Sequence, residues 1–432
     1  MAGCRDLRPQ GGWNGSMTSR SAPLNFVLVC VLIDTMSIGI ILPSLPILIG
    51  KFAASEGGTA TLYGWLVSTF GVASFLATPM VGSLSDRFGR KPILLFSMAG
   101  MCCNFLLTAH ATSLVMLFAA RIVAGVSSGG GAVASAYAAD VTEGEMRTKA
   151  FGQIGAAYSV GLILGPLAGG ILGAHSLETP FYAAAALTLC NFIYGYVAVP
   201  ESLNKADRVP FSFARSNPVN ALSRLAIQPE TRLLYLIFGL LTFSHLISQT
   251  SFPLYTIIRF HWTSFDIGLA LFLLGVSSTL MQMVLLGRLL KRLGETRLVY
   301  VAILSGMTNL GLYGLATHGW MIYLAIILGI LGFACYPALQ GIVSRQTDPR
   351  HQGELMGSLQ ALNSLAIIVT PLIGTSLLAV NANGPNDWTL GTPFLLSVGL
   401  QLLALICLRR YFQGLQDAGS SLKEREQQVP GS

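Results

Sequence analysis

The stretch GSLSDRFGRKP, from Gly82 to Pro92, places four charged residues among eleven and lies between two long apolar runs. The whole chain of 432 residues is only 10% charged and 53% hydrophobic, with a mean hydropathy of +0.63. A soluble protein of this length would need far more charge on its surface. The composition therefore predicts an integral membrane protein, in which this stretch is a loop between two spanning helices.

Apolar runs of about 20 residues, the length a helix needs to cross the hydrocarbon core, predict twelve spans in two groups of six. The runs cover residues 25–49, 61–83, 93–111, 113–139, 151–173 and 180–199, and then 231–256, 266–289, 297–316, 319–343, 354–380 and 390–409. The predicted fold is all-α. Its parts are a tail (1–24), a six-helix half (25–199), a connector (200–230), a second six-helix half (231–410) and a second tail (411–432).

The distribution of Lys and Arg predicts the orientation of the chain. If the N-terminus is cytoplasmic, the tails, the connector and the loops on that side hold 23 of the 26 basic residues. The opposite loops hold only Lys51 and Arg259, and Arg121 lies inside a span. We therefore expect both termini in the cytoplasm and the protein in the plasma (inner) membrane. The basic pI of 9.1 then reflects membrane topology and does not indicate a nucleic-acid partner.

The two halves repeat with one offset of 205 residues. Gly82-x-Leu84-x2-Arg87-x-Gly89 returns as Gly287-x-Leu289-x2-Arg292-x-Gly294, Gly165-Pro166-x2-Gly169 returns as Thr370-Pro371-x2-Gly374, and Gly152 returns as Gly357. Three landmarks with one offset make a chance match improbable. Two repeated halves that handle a solute at their interface are typical of alternating-access transporters.

The repeat places opposite charges at matching positions. Asp86 falls opposite Lys291, and Asp140 falls opposite Arg345. We expect these residues, with Arg87 and Arg90, to form a cytoplasmic gate whose halves attract each other on closing. Exposed pairs contribute only about 0–1 kcal/mol each, which suits a gate that must open. The alternative is that these are solvated loop charges.

The same residues carry a family resemblance. GSLSDRFGRKP resembles the signature loop of the major facilitator superfamily, and the fifth predicted helix resembles its antiporter signature in Gly152-x8-Gly161-x3-Gly165-Pro166-x2-Gly169-Gly170. LIDTMSIGIILPSLPILI (32–49), RIVAGVSSGGGAVASAYAADVT (121–142), FHWTSFDIGL (260–269) and PALQGIVSRQTD (337–348) are similar to the bacterial tetracycline efflux proteins. The similarity covers roughly residues 24–410.

The resemblance implies a proton-coupled exporter that expels tetracycline or another drug as protons enter. By position it makes Asp34 the membrane acid, Arg121 the arginine of helix 4, and Asp86, Arg90 and Asp140 gate residues. The chain also departs from the family at positions on the expected path of substrate and proton. Asn104 and Asn309 stand where relatives carry aspartate, Ser74 where they carry glutamine, and Ser278 where some carry histidine. The resemblance therefore leaves the choice of substrate open.

Asp34 is the only acid well inside a predicted span, where a carboxylate costs about 2.5–3.5 kcal/mol to insert. We expect it to bind and release the transported proton. The alternative is a structural pair with Arg121, which keeps its charge and so cannot carry the proton itself. His245 and Gln249 share one face of helix 7 and, with Ser74, Asn104, Ser278 and Asn309, are candidates for the substrate cavity. A lone membrane histidine is more often a satisfied polar contact.

The glycines of helix 5 allow neighbouring helices to approach closely, and Pro166 can kink the helix. We expect this to serve a rocking motion between the halves, and plain packing is the alternative.

The sequence contains no phosphate-binding loop and no pattern for a catalytic nucleophile, a carboxylate pair or a metal site. We therefore expect neither an enzyme nor a metal, and a proton gradient rather than ATP as the energy source. The expected partners are the bilayer, protons and a small-molecule substrate. Two other functions remain open: a uniporter or importer of a metabolite, and a membrane receptor or scaffold that transports nothing.

Overall fold

The computed structural model describes residues 22–209, 232–346, 352–382 and 387–427, and these are helical throughout with short connections. The predicted first tail and the connector lie largely outside this description, whereas residues 411–427 of the predicted second tail continue the last helix. The first half contains α1 (Ala22–Ile41), α2 (Leu45–Gly50), α3 (Glu56–Phe88), α4 (Arg90–Ala109), α5 (Leu114–Ser127), α6 (Gly130–Val141), α7 (Gly144–Gly173) and α8 (Thr179–Ala198).

The second half follows the same pattern with more interruptions. It contains α9 (Arg232–Phe260), α10 (Ser264–Leu280), α11 (Leu286–Leu315), α12 (Trp320–Leu328), α13 (Cys335–Gln346), α14 (Gln352–Asn381) and α15 (Thr392–Gln427). A π-helical turn, Met281–Leu285, joins α10 to α11, and a 3-10 segment, Ile330–Ala334, joins α12 to α13.

The described helices account for the twelve predicted spans. Ten helical segments are long and apolar enough to cross a membrane, and α12 with α13 forms an eleventh span that bends by 47°. The longest segment, Ser264–Leu315, has 52 residues and would be about 78 Å long if it were straight, far more than the core of about 30 Å. Gly294 breaks it with φ 71° and ψ 167°, so this segment supplies two spans.

Two glycines show that the sequence repeat is also a structural repeat. Gly89 adopts φ 109° and ψ 160°, and its repeat mate Gly294 adopts nearly the same backbone conformation. A side chain rarely tolerates this region, so glycine is required at both corners. Each corner ends one span and starts the next on the same side of the molecule, which is called the Gly89 side below. The opposite side, where Lys51 bonds to Glu178, is called the Lys51 side.

Helix α7 packs tightly on α1 through small residues. A β-carbon on Gly165 would lie 2.7 Å from Cα of Gly39, and one on Gly161 would lie 2.8 Å from the carbonyl oxygen of Leu32. Any side chain at these positions would push the two helices apart.

The described parts of the two halves touch each other mainly through two helix pairs, α7 with α10 and α3 with α14. A β-carbon on Gly170 would lie 2.8 Å from the carbonyl oxygen of Ser264, and one on Gly71 would lie 3.1 Å from Ile367. Towards the Gly89 side, by contrast, Gly152 and Gly155 of α7 have open space around them. The halves are therefore closed on the Lys51 side, and the cleft between them opens on the Gly89 side.

Candidate functional site

Arg90 is the centre of a charge cluster on the Gly89 side. Its guanidinium donates to Asp86 at 2.5 Å, to Asp140 at 3.0 Å and to the Ser85 hydroxyl at 2.7 Å. The pairing of Asp86 with Arg90, four residues apart, is the one that the loop sequence predicts. Arg87 points elsewhere and lies over the ring of Phe88. The cluster binds the loop to the end of α6, within one half.

Glu201, which was not among the predicted gate residues, completes this cluster. Its carboxylate accepts from the backbone N–H of Arg90 at 2.8 Å and of Lys91 at 3.3 Å, at the N-terminus of α4. A carboxylate there stabilises the helix dipole and satisfies free N–H groups. The start of the connector also docks here, since the Val209 N–H donates to the Asp86 carbonyl at 3.2 Å. An acid directly after the last residue of a predicted span, Pro200, was the available signal.

Among the described residues, the second half adds no salt-bridge partner to the gate. The three salt bridges of the described residues all lie within the first half, and Lys291 is exposed. Arg345 belongs to α13, but its side chain lies outside the described part of the chain. The attraction between the halves at this gate therefore stays a prediction for the closed state.

Arg121 is buried and pairs with neutral groups. Its guanidinium donates to the Asn104 side-chain oxygen at 2.8 Å and to the Thr108 hydroxyl at 3.2 Å, and only 7% of it is exposed. Tyr63 also interacts with it electrostatically. No salt bridge among the described residues joins Asp34 to Arg121, so the alternative of a structural pair between them gains no support from this state.

Asp34 stands apart from these networks. It is half-buried in the middle of α1, and no hydrogen bond or ion pair connects it to another described side chain. The half-exposed side chain of Tyr158, on α7, lies close enough to the Asp34 carboxylate for an electrostatic interaction. An acid without a fixed counter-ion can exchange a proton when water or a substrate reaches it.

The glycines of the antiporter signature divide into two groups. Gly161, Gly165 and Gly169 pack on α1, and Gly170 packs on α10 of the other half. A β-carbon on Gly152 would have nothing within 4 Å, and Pro166 lies inside an unbroken helix. The closely packed glycines thus lie towards the closed Lys51 side. Gly152, which has open space around it, lies beside the cleft.

A cavity of about 420 Å³ lies in the second half and is here called the amide pocket. Three helices line it, each through residues that share one helix face. Its walls are Phe238, Thr242 and His245 of α9, Tyr336 and Gln340 of α13, and Leu359, Gln360 and Asn363 of α14.

His245 is the one cavity candidate of the sequence analysis that lines this pocket. Gln249 lies one turn further along α9, and Ser278 accepts a hydrogen bond from Gln282. Ser74 shares a hydrogen bond of 2.7 Å with Ser128, and Asn104 accepts one from Arg121. Asn309 donates to the Ala325 carbonyl at 2.9 Å. These last three residues join helices within their own half.

Comparison with known proteins decides the family. The family model of the Major Facilitator Superfamily matches residues 27–371. This chain belongs to that superfamily. It is 38% identical to the class C tetracycline resistance protein of Escherichia coli, over 91% of this chain and 98% of that protein. It is 34% identical to the class D protein of Salmonella ordonez, over 89% and 96%. Among solved structures, the nucleoside transporter NupG shares the fold, with a TM-score of 0.71, 15% identity and coverage of 90% and 98%.

Membership of the major facilitator superfamily settles the class of this protein. It is a multi-pass membrane transporter of small molecules and not an enzyme. The membership also confirms the predicted fold of two six-helix repeats.

The residues that line the amide pocket of this major facilitator were only partly predictable from the sequence. Gln360 and Asn363, or Tyr336 and Gln340, are spaced to share a helix face, and the same is true of Phe238, Thr242 and His245. That spacing is a signal that the sequence analysis used for His245 and Gln249 alone.

Proposed function

We propose that this protein exports a small organic compound from the cytoplasm in exchange for protons, by alternating access. Relatives named tetracycline resistance proteins, matched over about nine-tenths of the chain, support drug efflux. The observation that carries the proton coupling is Asp34, a carboxylate inside the membrane that no described side chain neutralises. Tetracycline is the first substrate to test, because the relatives bear its name.

The proposed site is the plasma (inner) membrane, with the Gly89 side and both termini in the cytoplasm. The Lys and Arg distribution supports this orientation. The open cleft then faces the cytoplasm, where a drug would enter. Alkaline phosphatase fused to the C-terminus should be inactive in this orientation, and an active fusion would reverse it.

The proposed energy source is the proton gradient, with no part for ATP. In this cycle Asp34 takes up a proton from the outside when the cleft opens there, and it releases the proton when the cleft faces the cytoplasm. Arg121 holds helices α4 and α5 together through Asn104 and Thr108 and places a fixed positive charge in the same half.

The Asp34→Asn variant tests the coupling in proteoliposomes with an imposed pH gradient. We expect gradient-driven accumulation of tetracycline to fall at least about tenfold, because an amide cannot carry the proton, while exchange without a gradient continues. The matched control is Asp266→Asn, which removes an acid from the capping box of α10. Full response of Asp34→Asn to the gradient would contradict proton antiport and favour a uniporter.

A further inference from the structure

We propose that Arg121 is the centre of a binding site for a small inorganic anion of the halide class, and that the bound anion neutralises this buried charge. The site lies in the first half, where α3, α4 and α5 pack together. Such an anion is a resident counter-ion and not the exported compound. Its binding therefore goes beyond the proposed function and does not depend on proton coupling.

The guanidinium of Arg121 keeps its positive charge in a place that water barely reaches. The residue is only 7% exposed, and an arginine side chain does not lose its proton in a protein. Its hydrogen bonds to Asn104 at 2.8 Å and to Thr108 at 3.2 Å satisfy two donors, but both acceptors are neutral. A charge buried without an opposite charge is unfavourable, so an anion beside this guanidinium would be stabilised.

The described helices around Arg121 supply no acid to neutralise it. Helix α5 packs on α3 and α4, and neither α4 nor α5 contains Asp or Glu. The acids of α3 are Glu56, exposed in its first turn, and Asp86, which pairs with Arg90 near the opposite end. Helix α1, which carries Asp34, packs mainly on α6, α7 and α8. The counter-charge for the arginine must therefore come from outside these helices.

Several hydrogen-bond donors around the guanidinium have no acceptor among the described residues. Both hydrogen bonds of Arg121 start from Nη2, which leaves the donors on Nε and Nη1 unused. The side-chain nitrogen of Asn104 is also buried without a partner, and Asn104 is only 1% exposed. This nitrogen lies beside the guanidinium, because it belongs to the carboxamide whose oxygen accepts from Arg121. Unused donors thus converge on one place that also carries a positive charge.

A compact anion matches this set of groups. It can accept hydrogen bonds from the guanidinium and from the Asn104 amide while it neutralises the charge. Tyr63 of α3 interacts electrostatically with Arg121 and is nearly buried, so its hydroxyl is a further donor at the same place. Because the donors surround a single guanidinium between packed helices, they fit a halide better than a large organic anion.

The proposed site is close to the Lys51 side of the molecule. Arg121 lies about two turns, or about 10 Å, from the start of α5, and Thr108 lies in the last turn of α4. Both of these helix ends belong to the Lys51 side. In the proposed orientation this side faces away from the cytoplasm, so the anion would enter from outside the cell.

Binding of radioactive chloride tests the site in the full-length protein, held in nanodiscs of phosphatidylcholine. We expect the wild type to bind a single chloride. Bromide should compete for this site, whereas gluconate should not, because it is too large to enter between the packed helices. Replacing gluconate by chloride at constant ionic strength should also raise the unfolding temperature by about 2 °C, the shift expected when chloride is about thirtyfold above its Kd.

The Asn104→Asp variant would fill the site from within. Its new carboxylate would neutralise Arg121 in place of the anion, so chloride should bind at least about tenfold more weakly. The unfolding temperature of this variant should no longer depend on chloride. Arg121→Gln should lose chloride binding too, and Asn104→Asp keeps the test valid if that variant fails to fold.

The matched control is Asn309→Asp, which makes the same change in the second half. Asn309 donates to the Ala325 carbonyl there, and this variant should bind chloride as the wild type does. Three results would overturn the anion site: no saturable chloride binding by the wild type, equal chloride binding by the wild type and Asn104→Asp, or equal stabilisation of the wild type by gluconate and chloride. The last result would mean that ionic strength alone stabilises the protein.

Discussion

Gly89 and Gly294 mark the corners on which each half turns, but their surroundings differ. A β-carbon on Gly89 would meet the carboxyl group of Glu201, whereas one on Gly294 would have open space. The first corner is therefore built into a network of hydrogen bonds, and the second depends on its backbone conformation alone.

Replacing these glycines by alanine should separate the two effects. Gly294→Ala should lower the free energy of unfolding by about 1–3 kcal/mol, the cost of this glycine-only backbone region at a residue with a side chain. Gly89→Ala should cost more, because it also displaces the Glu201 carboxylate from the start of α4. Unfolding titrations in mixed micelles measure both, and equal costs would show that the Glu201 contact contributes nothing.

At the scale of single residues, the sequence predicts contacts between residues that are close together in the chain. The Asp86–Arg90 pair and the Gly89 corner follow from spacing and residue type within eleven residues. The partners of Arg121 do not, because Asn104 and Thr108 reach it across two packed helices, and the sequence does not show how those helices are rotated. The same limit applies to the amide pocket, whose walls come from three separate helices.

Among the described helices, α7 is closely packed on two sides, because it contacts α1 of its own half and α10 of the other half. The glycine signature predicts this close packing. The break in the tenth span was not predicted, because residues 330–334 are as apolar as their flanks and look like part of one helix.

A methyl group added to α7 should shift the equilibrium between the state open on the Gly89 side and the state open on the Lys51 side. Gly170→Ala places a β-carbon 2.8 Å from the Ser264 carbonyl oxygen, so it should oppose closure on the Lys51 side and lower transport at least about tenfold. Gly152→Ala adds the same group in open space and should transport normally. Equal activity of both variants would mean that this contact can relax without cost.

The whole molecule is closed on the Lys51 side and open on the Gly89 side. The predicted number and grouping of the spans are confirmed, because the hydropathy and charge patterns of the sequence depend directly on them. Which side of the cleft is open cannot be read from composition, since both states bury similar helix faces.

Cysteine labelling tests the direction of opening. In a background without native cysteines, Ser159→Cys should react with a membrane-impermeant maleimide applied from the cytoplasm, because Ser159 is exposed on α7 one turn from Gly155. Ser264→Cys should be protected, because Ser264 is buried against α7 and bonds to Ser44 across the halves. The reverse pattern would mean that the outward-open state dominates.

The isolated carboxylate of Asp34 has an electrical consequence. Among the described spans it is the only acid away from the helix ends, so it offers a place for one proton per cycle. A carrier that expels a neutral molecule for that proton moves one net positive charge inward, whereas a carrier that expels a monocation moves none. A membrane potential of 100 mV, negative inside, contributes about 2.3 kcal/mol to the first exchange and nothing to the second, so the voltage dependence of transport at fixed pH measures the charge of the exported compound.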